Sequence, residues 1–362
     1  MDKLLTHKRC RHIGCYSIII LLSYVLLSGC ASRFGNFRGD KKFVQNKYQL
    51  AIAEYKSVLK KDPDNKQALS MLAWSYFKMG EYEDALDAFV IYQQLYPKET
   101  EALNGLGWSY FKTGKYEKAK QDFNKSIKIN KKQSDPYNGL GWVYLSDKEE
   151  IAAFNKFQEA LKYDIESPEA HRGLGYYYFF KENYDNSIIE MRRVLRIQPD
   201  WLDCLVLIGK NYLAKKEYDE AAKWFECYLK EKPDDLDIVL QFSQMEFYKK
   251  DYASVVKYLS YLKIKKIDNQ KEWSSYSSAL SMLGWSYFYQ ENYKESLNVF
   301  GLLKNLHSES DYYADVHDAL GWNYLKLKNL DEAFAEFQIA LKLAPEYASS
   351  LVGLDELKKL KE

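Results

Sequence analysis

The 362-residue sequence carries almost no net charge, little proline and few histidines or cysteines. Each scarcity removes a class of function. Lys and Arg number 52 against 51 Asp and Glu, so there is no global field to gather nucleic acid. The five histidines and five cysteines show no Cys-x-x-Cys, His-Glu-x-x-His or calcium-loop spacing, which leaves no metal site to expect. No Gly-x-Ser-x-Gly elbow or separated Ser/His/Asp set can be assembled. Gly107 and Gly114-Lys115 imitate a phosphate loop, but the spacing is wrong and Tyr116 stands where Ser or Thr is needed. The expectation is a non-enzymatic protein without cofactor or metal. Proline is held to seven residues, and Pro63, Pro97, Pro199, Pro233 and Pro345 recur at one phase of a longer pattern.

That pattern is written in tryptophan. Leu72-Ala73-Trp74-Ser75-Tyr76 returns as Leu106-Gly107-Trp108-Ser109-Tyr110 and Leu140-Gly141-Trp142-Val143-Tyr144, 34 residues apart. Leu283-Gly284-Trp285-Ser286-Tyr287 and Leu320-Gly321-Trp322-Asn323-Tyr324 follow, and weaker copies at Gly175, Gly209 and Ser243 keep the step. A period of this size means stacked two-helix units, each too small to bury its own apolar face.

Alignment on the motif gives units 66–99, 100–133, 134–167, 168–201, 202–235, 236–276, 277–313 and 314–347. A partial unit precedes them, with its second helix at about 47–61, while 30–46 reads as a tether rich in Gly, Lys and Asn. Residues 348–362 read as a capping helix, with Leu351, Leu354, Leu357 and Leu360 on one face. Within a unit, apolar residues at positions 4, 7 and 11 form one face of the first helix, and position 15, as at Gly114, makes the turn. Small residues at positions 8 and 20 let the helices approach, and Pro at position 32 ends the second. Val255 at position 20, Glu246 at position 11 and the extra segment 263–276 depart from the pattern. They predict a looser joint between one block at 47–262 and another at 277–347, the added segment being either a longer helix or a loop.

This framework resembles the tetratricopeptide repeat from about Lys47 to Tyr347. The resemblance implies an all-α, right-handed superhelical solenoid of about nine units plus the C-terminal helix. It also implies that the first helices line a concave groove that receives peptides or partner proteins. Positions 2, 5, 9, 12 and 13 share one side of the first helix. On that side lie Trp74, Phe77, Trp108, Phe111, Trp142, Tyr176, Phe179, Trp285, Phe288 and Trp322, with Lys210 and Gln244 as a more polar stretch between. These are the candidate partner-binding residues, and the alternative is that each Trp packs against its neighbours and tightens the stack. Glu101, Asp135, Glu169, Asp203, Asp237 and Asp315 recur at position 2. A carboxylate there is favoured by the helix dipole; otherwise the column is an acidic rim. His171 and His317 fall at a core position and read as satisfied buried imidazoles.

The first thirty residues are a separate object. Lys3, Lys8, Arg9 and Arg11 precede an uncharged apolar run from Ile13 to Leu27, closed by Leu27-Ser28-Gly29-Cys30. The run is short for a spanning helix, which needs about 20 residues, and reads as a secretory signal over 1–29. The closing tetrapeptide resembles a bacterial lipobox, which implies lipidation of Cys30, and Ala31-Ser32 after it implies sorting to the outer membrane, on its periplasmic face. The combined expectation is a lipid-anchored envelope scaffold that holds partner proteins or peptides. A carbohydrate-binding lipoprotein using the Trp-lined groove for peptidoglycan or exopolysaccharide is the alternative.

Overall fold

A computed structural model describes residues 38–260, 273–306 and 313–361. The signal segment, Cys30 and most of the added segment 263–276 lie outside the described residues. Among the described residues there are nineteen helices and no strand, and none of these helices is long and apolar enough to cross a membrane.

The chain forms two compact units that divide at Lys215–Lys216. The first holds α1 (Arg38–Val44), α2 (Tyr48–Lys61), α3 (Lys66–Met79), α4 (Tyr82–Leu95), α5 (Thr100–Lys112), α6 (Tyr116–Ile129), α7 (Asp135–Ser146), α8 (Glu150–Tyr163), α9 (Pro168–Phe180), α10 (Tyr184–Ile197) and α11 (Leu202–Ala214). The second holds α12 (Tyr218–Glu231), α13 (Leu236–Tyr248), α14 (Tyr252–Leu259), α15 (Trp273–Tyr289), α16 (Tyr293–Leu306), α17 (Tyr313–Lys326), α18 (Leu330–Leu343) and α19 (Ala348–Lys361). Inside each unit consecutive helices pack as antiparallel pairs. First helices also touch the first helices before and after them, whereas second helices pack chiefly against first helices. Each unit therefore curves with its first helices on the inside, and α19 closes the second unit by packing on α17 and α18.

An aromatic residue at position 24 carries most of the joints, with Met191 and Leu259 in its place in two repeats. Phe89, Phe123, Phe157, Phe300 and Phe337 are essentially fully buried, each contributing about 2–3 kcal/mol of apolar burial. They fit because glycine receives them. A Cβ on Gly107 would lie 2.6 Å from the Phe123 ring, and one on Gly139, in the next repeat, 2.1 Å from it. Phe157 is clasped in the same way between Gly141 and Gly173. The ring thus bolts its own helix pair to the following one.

The helix boundaries follow the repeat. Pro63, Pro97, Pro199, Pro233 and Pro345 each stand two residues beyond the end of a second helix. Position 15 is left-handed throughout, at Gly80 and Gly114 but also at Asn46, Lys148, Glu182, Lys216, Lys250, Glu291 and Lys328.

Two expectations are corrected. Residues 38–44 are not tether but part of a first helix, in which Gly39 abuts the buried ring of Tyr55 as Gly107 abuts Phe123. Asp40, in the position that Trp holds elsewhere, is buried and accepts hydrogen bonds from the Tyr55 hydroxyl at 2.7 Å and Gln67 Nε2 at 2.8 Å. The second concerns the joint. The boundary between units falls at Lys215–Lys216 and not at 263–276. The repeats on either side of the added segment pack continuously through α13, α14 and α15, with Val255 and Leu259 fully buried and Tyr252 stacked on Tyr289 at 4.8 Å. Residues 273–276 extend α15 at its start, which the choice between a longer second helix and a loop did not foresee.

Candidate functional site

The inner faces of the first helices carry the candidate residues, one face per unit. In the first unit Trp74, Phe77, Trp108, Phe111, Trp142, Tyr176, Phe179 and Lys210 are all partly exposed there. In the second, Trp285, Phe288 and Trp322 are partly exposed and Gln244 is exposed. Each face is a set in its own right.

Every Trp is fixed from behind. Its ring meets the position-24 Phe edge to face, with centroids 5.0 Å apart for Trp74–Phe89, 5.5 Å for Trp108–Phe123, 5.7 Å for Trp142–Phe157, 5.5 Å for Trp285–Phe300 and 5.6 Å for Trp322–Phe337. Such pairs add about 0.5–1.5 kcal/mol beyond burial. The indole N–H then reaches across to the next repeat. Trp74 donates to Glu101 at 3.1 Å, Trp108 to Asp135 at 2.8 Å, and Trp322 to the Ser349 hydroxyl at 2.8 Å. Position 9 of one repeat is thus latched to position 2 of the following one. Packing and exposure coexist in these side chains, and the latch accounts for much of the tryptophan.

The acidic column has to be reread in this light. Glu101 accepts from Ser70, Trp74 and Tyr92 together, so its role is acceptor at a joint. Burial pushes the Asp135 carboxyl up to about 6, with Glu169 and Glu101 adding to the rise and Trp108 and Asn104 opposing it by hydrogen bonding. Glu169 is also raised by burial, against the pull of Arg172 and Lys78. A dominant helix dipole would lower these carboxyls. Burial and like-charged neighbours outweigh it here.

Trp142 is treated differently. Its Nε1 is buried without a hydrogen-bond partner among the described residues, and the Arg172 guanidinium lies 4.7 Å from its ring and 4.9 Å from that of Trp201. Arg172 also reaches Asp203 at 2.8 Å. Burial and the cations Arg172 and Lys78 hold Lys112 below its ordinary range, with Asp203 opposing. Lys78 acting on Glu169, and Asp203 on Lys112, means that side chains three repeats apart influence one another within this unit.

His171 and His317 are buried and satisfied. His171 Nδ1 meets Glu190 at 2.6 Å and its Nε2 meets the Ile165 carbonyl at 3.0 Å; His317 Nδ1 meets Glu336. The two glutamates stand nineteen residues beyond their histidines, a recurrence readable in the sequence but missed. Cys204 is a buried free thiol, its pKa raised by burial. Among the described residues no three His, Cys, Asp or Glu side chains converge as a metal site would need.

Models of the tetratricopeptide repeat match residues 44–89, 100–133, 169–200 and 314–347. No curated protein matches the sequence. Among solved structures, the chain is similar to a thermophilic repeat protein of Thermus thermophilus (21% identity over 48% of this chain and 95% of that one, TM-score 0.44). It is also similar to Pseudomonas aeruginosa pilF (18%, 60% and 95%, TM-score 0.48) and to MamA (27%, 46% and 96%, TM-score 0.37).

Proposed function

The chain belongs to the tetratricopeptide repeat family, and from that premise we propose that it is a non-enzymatic adaptor holding segments of partner proteins on its inner faces. The observation that carries this is the exposed aromatic residue at position 13, one turn beyond position 9, in the repeats where position 9 is Tyr176, Gln244 and Trp285. Phe180 is 56% exposed, Tyr248 76% and Tyr289 52%. Large apolar rings left open on a face that is otherwise well packed are anchors for a partner.

The finer reading is a lipid-anchored envelope scaffold. Lipidation at Cys30 would tether it, on the periplasmic face of an outer membrane, to a machine that assembles outer-membrane proteins, pili, a secretion channel or the wall. Support comes from Leu27-Ser28-Gly29-Cys30 behind the basic head and apolar run. Two or three acyl chains, at about 0.8 kcal/mol per buried methylene, anchor firmly where one does not. The carbohydrate alternative needs indole faces free to stack on sugar rings. The five Trp rings are instead held edge to face by Phe, and Trp74, Trp108 and Trp322 also by their N–H bonds, which argues for a protein partner.

In-cell formaldehyde crosslinking followed by mass spectrometry tests the adaptor reading. Discrete protein adducts are expected, lost in Phe180→Glu and Tyr248→Glu variants that still fold. Unchanged adducts in both variants contradict it. Titration with peptidoglycan or glucan fragments that quenches Trp fluorescence, without protein adducts, would favour the sugar reading. For the anchor, Cys30→Ser is expected to release the protein from membranes in detergent-free fractionation.

A further inference from the structure

We infer that the inner face of the second unit contains a cleft that takes the neutral, apolar anchor residue of an extended peptide. The inference rests on the adaptor reading above and names where the partner docks and by what chemistry.

The cleft lies where the latch between repeats is left out. At the 236–276 repeat, Gln244 stands in place of the Trp, and Ser278 in place of the next repeat's acid. Ser281 likewise replaces the Asn or Arg found at position 5 in Asn104, Asn138 and Arg172. Helix α15 also begins early and adds Ser274 and Ser275. Loss of bulk on both sides opens a space of about 520 Å³ between α13, α15 and α17, within the range of roughly 300–1,000 Å³ typical of ligand sites.

Its lining decides the ligand. The floor is apolar, made by Phe247, Met282, Phe300 and Leu303. The mouth carries serine hydroxyls, the exposed Gln244 amide and the Tyr248 ring. Two ionisable side chains stand at one end, and both are engaged. Lys304 pairs with Glu336 at 3.0 Å, and Asp315 accepts from the Tyr347 hydroxyl. A charged anchor would be desolvated over this floor without a counter-charge. A sugar would set hydroxyls unpaired on Phe and Leu. A Leu, Met or Phe side chain fills the floor, while hydroxyl and amide groups at the mouth meet peptide N–H and C=O groups on either side of it.

The test uses the full-length protein and a phage library of random nonapeptides. Selected peptides are expected to share one Leu, Met or Phe between uncharged neighbours. Ser278→Phe, at an exposed position, and Ser281→Phe, one turn on, should each weaken the selected peptide at least tenfold in fluorescence polarisation without lowering the melting temperature. Ser278→Thr should retain binding. A charged consensus, or wild-type affinity in both filled variants, overturns the cleft; if binding is then lost in Phe180→Glu, the adaptor reading stands without it. Binding of maltohexaose or peptidoglycan fragments with no peptide selected overturns both.

Discussion

The Trp108 indole donates to the Asp135 carboxylate at 2.8 Å, joining two repeats across a separation of 27 residues. The same offset joins Trp74 to Glu101 and Trp322 to Ser349. This acceptor is costly when ionised, because burial and the acids Glu169 and Glu101 raise the Asp135 pKa from 3.8 to about 6.

That shift has a pH signature. Between about pH 4 and 6 the folded protein keeps a proton on Asp135 that the unfolded chain has released, so stability falls as pH rises through this window and levels above it. Two pKa units bound the effect at about 3 kcal/mol, and partial exposure of the residue reduces it to about 1–2 kcal/mol. Asp135→Asn keeps an acceptor for the indole and removes the penalty. The variant should melt higher than wild type at pH 7 and close to it at pH 4, read by circular dichroism. Parallel melting curves across this range would show that Asp135 does not titrate as described.

Glycine at the joint gives a second prediction. Gly107→Ala and Gly139→Ala push a methyl into the Phe123 ring from its own repeat and from the next, and each should cost about 1–3 kcal/mol by overpacking. Gly301 lies in α16, where an added Cβ would meet nothing within 4 Å among the described residues. Gly301→Ala should therefore stabilise by about 0.5–1 kcal/mol. Urea unfolding of the three variants separates close packing from helix propensity.

Left-handed turns give a third. Lys148 and Lys328 both adopt φ of 63°, a conformation costing a side-chain-bearing residue about 1–2 kcal/mol. Part of this returns as unfolded-state entropy when Gly is introduced. Lys148→Gly and Lys328→Gly should each stabilise by about 0.5–1 kcal/mol in the same assay. Gly114→Lys should do the reverse.

Much of the fold was legible because the Trp motif, position-15 turn and position-32 proline repeat at fixed spacing. The helix at 38–44 was not, since its sequence lacks the Trp motif, and only Gly39 and Tyr55 keep the register of the repeat. Both columns of the latch, Trp at position 9 and acid at position 2, were visible separately. Their union crosses a repeat boundary, so it depends on how far successive pairs rotate, which no single repeat encodes. Val255 and Glu246 suggested a weak joint by residue type. In the fold Val255 is fully buried, and the nearly buried Glu246 meets Lys249 at 3.0 Å.

Paired photo-crosslinking tests the central claim most directly, that partners are held by the inner faces. A photoreactive residue is placed at Phe180 or Tyr248 on first helices, and in parallel at Ile151 or Ile189, which are 74% and 47% exposed on second helices. The account predicts discrete protein adducts from the first pair and none from the second. Adducts confined to Ile151 and Ile189 would contradict it.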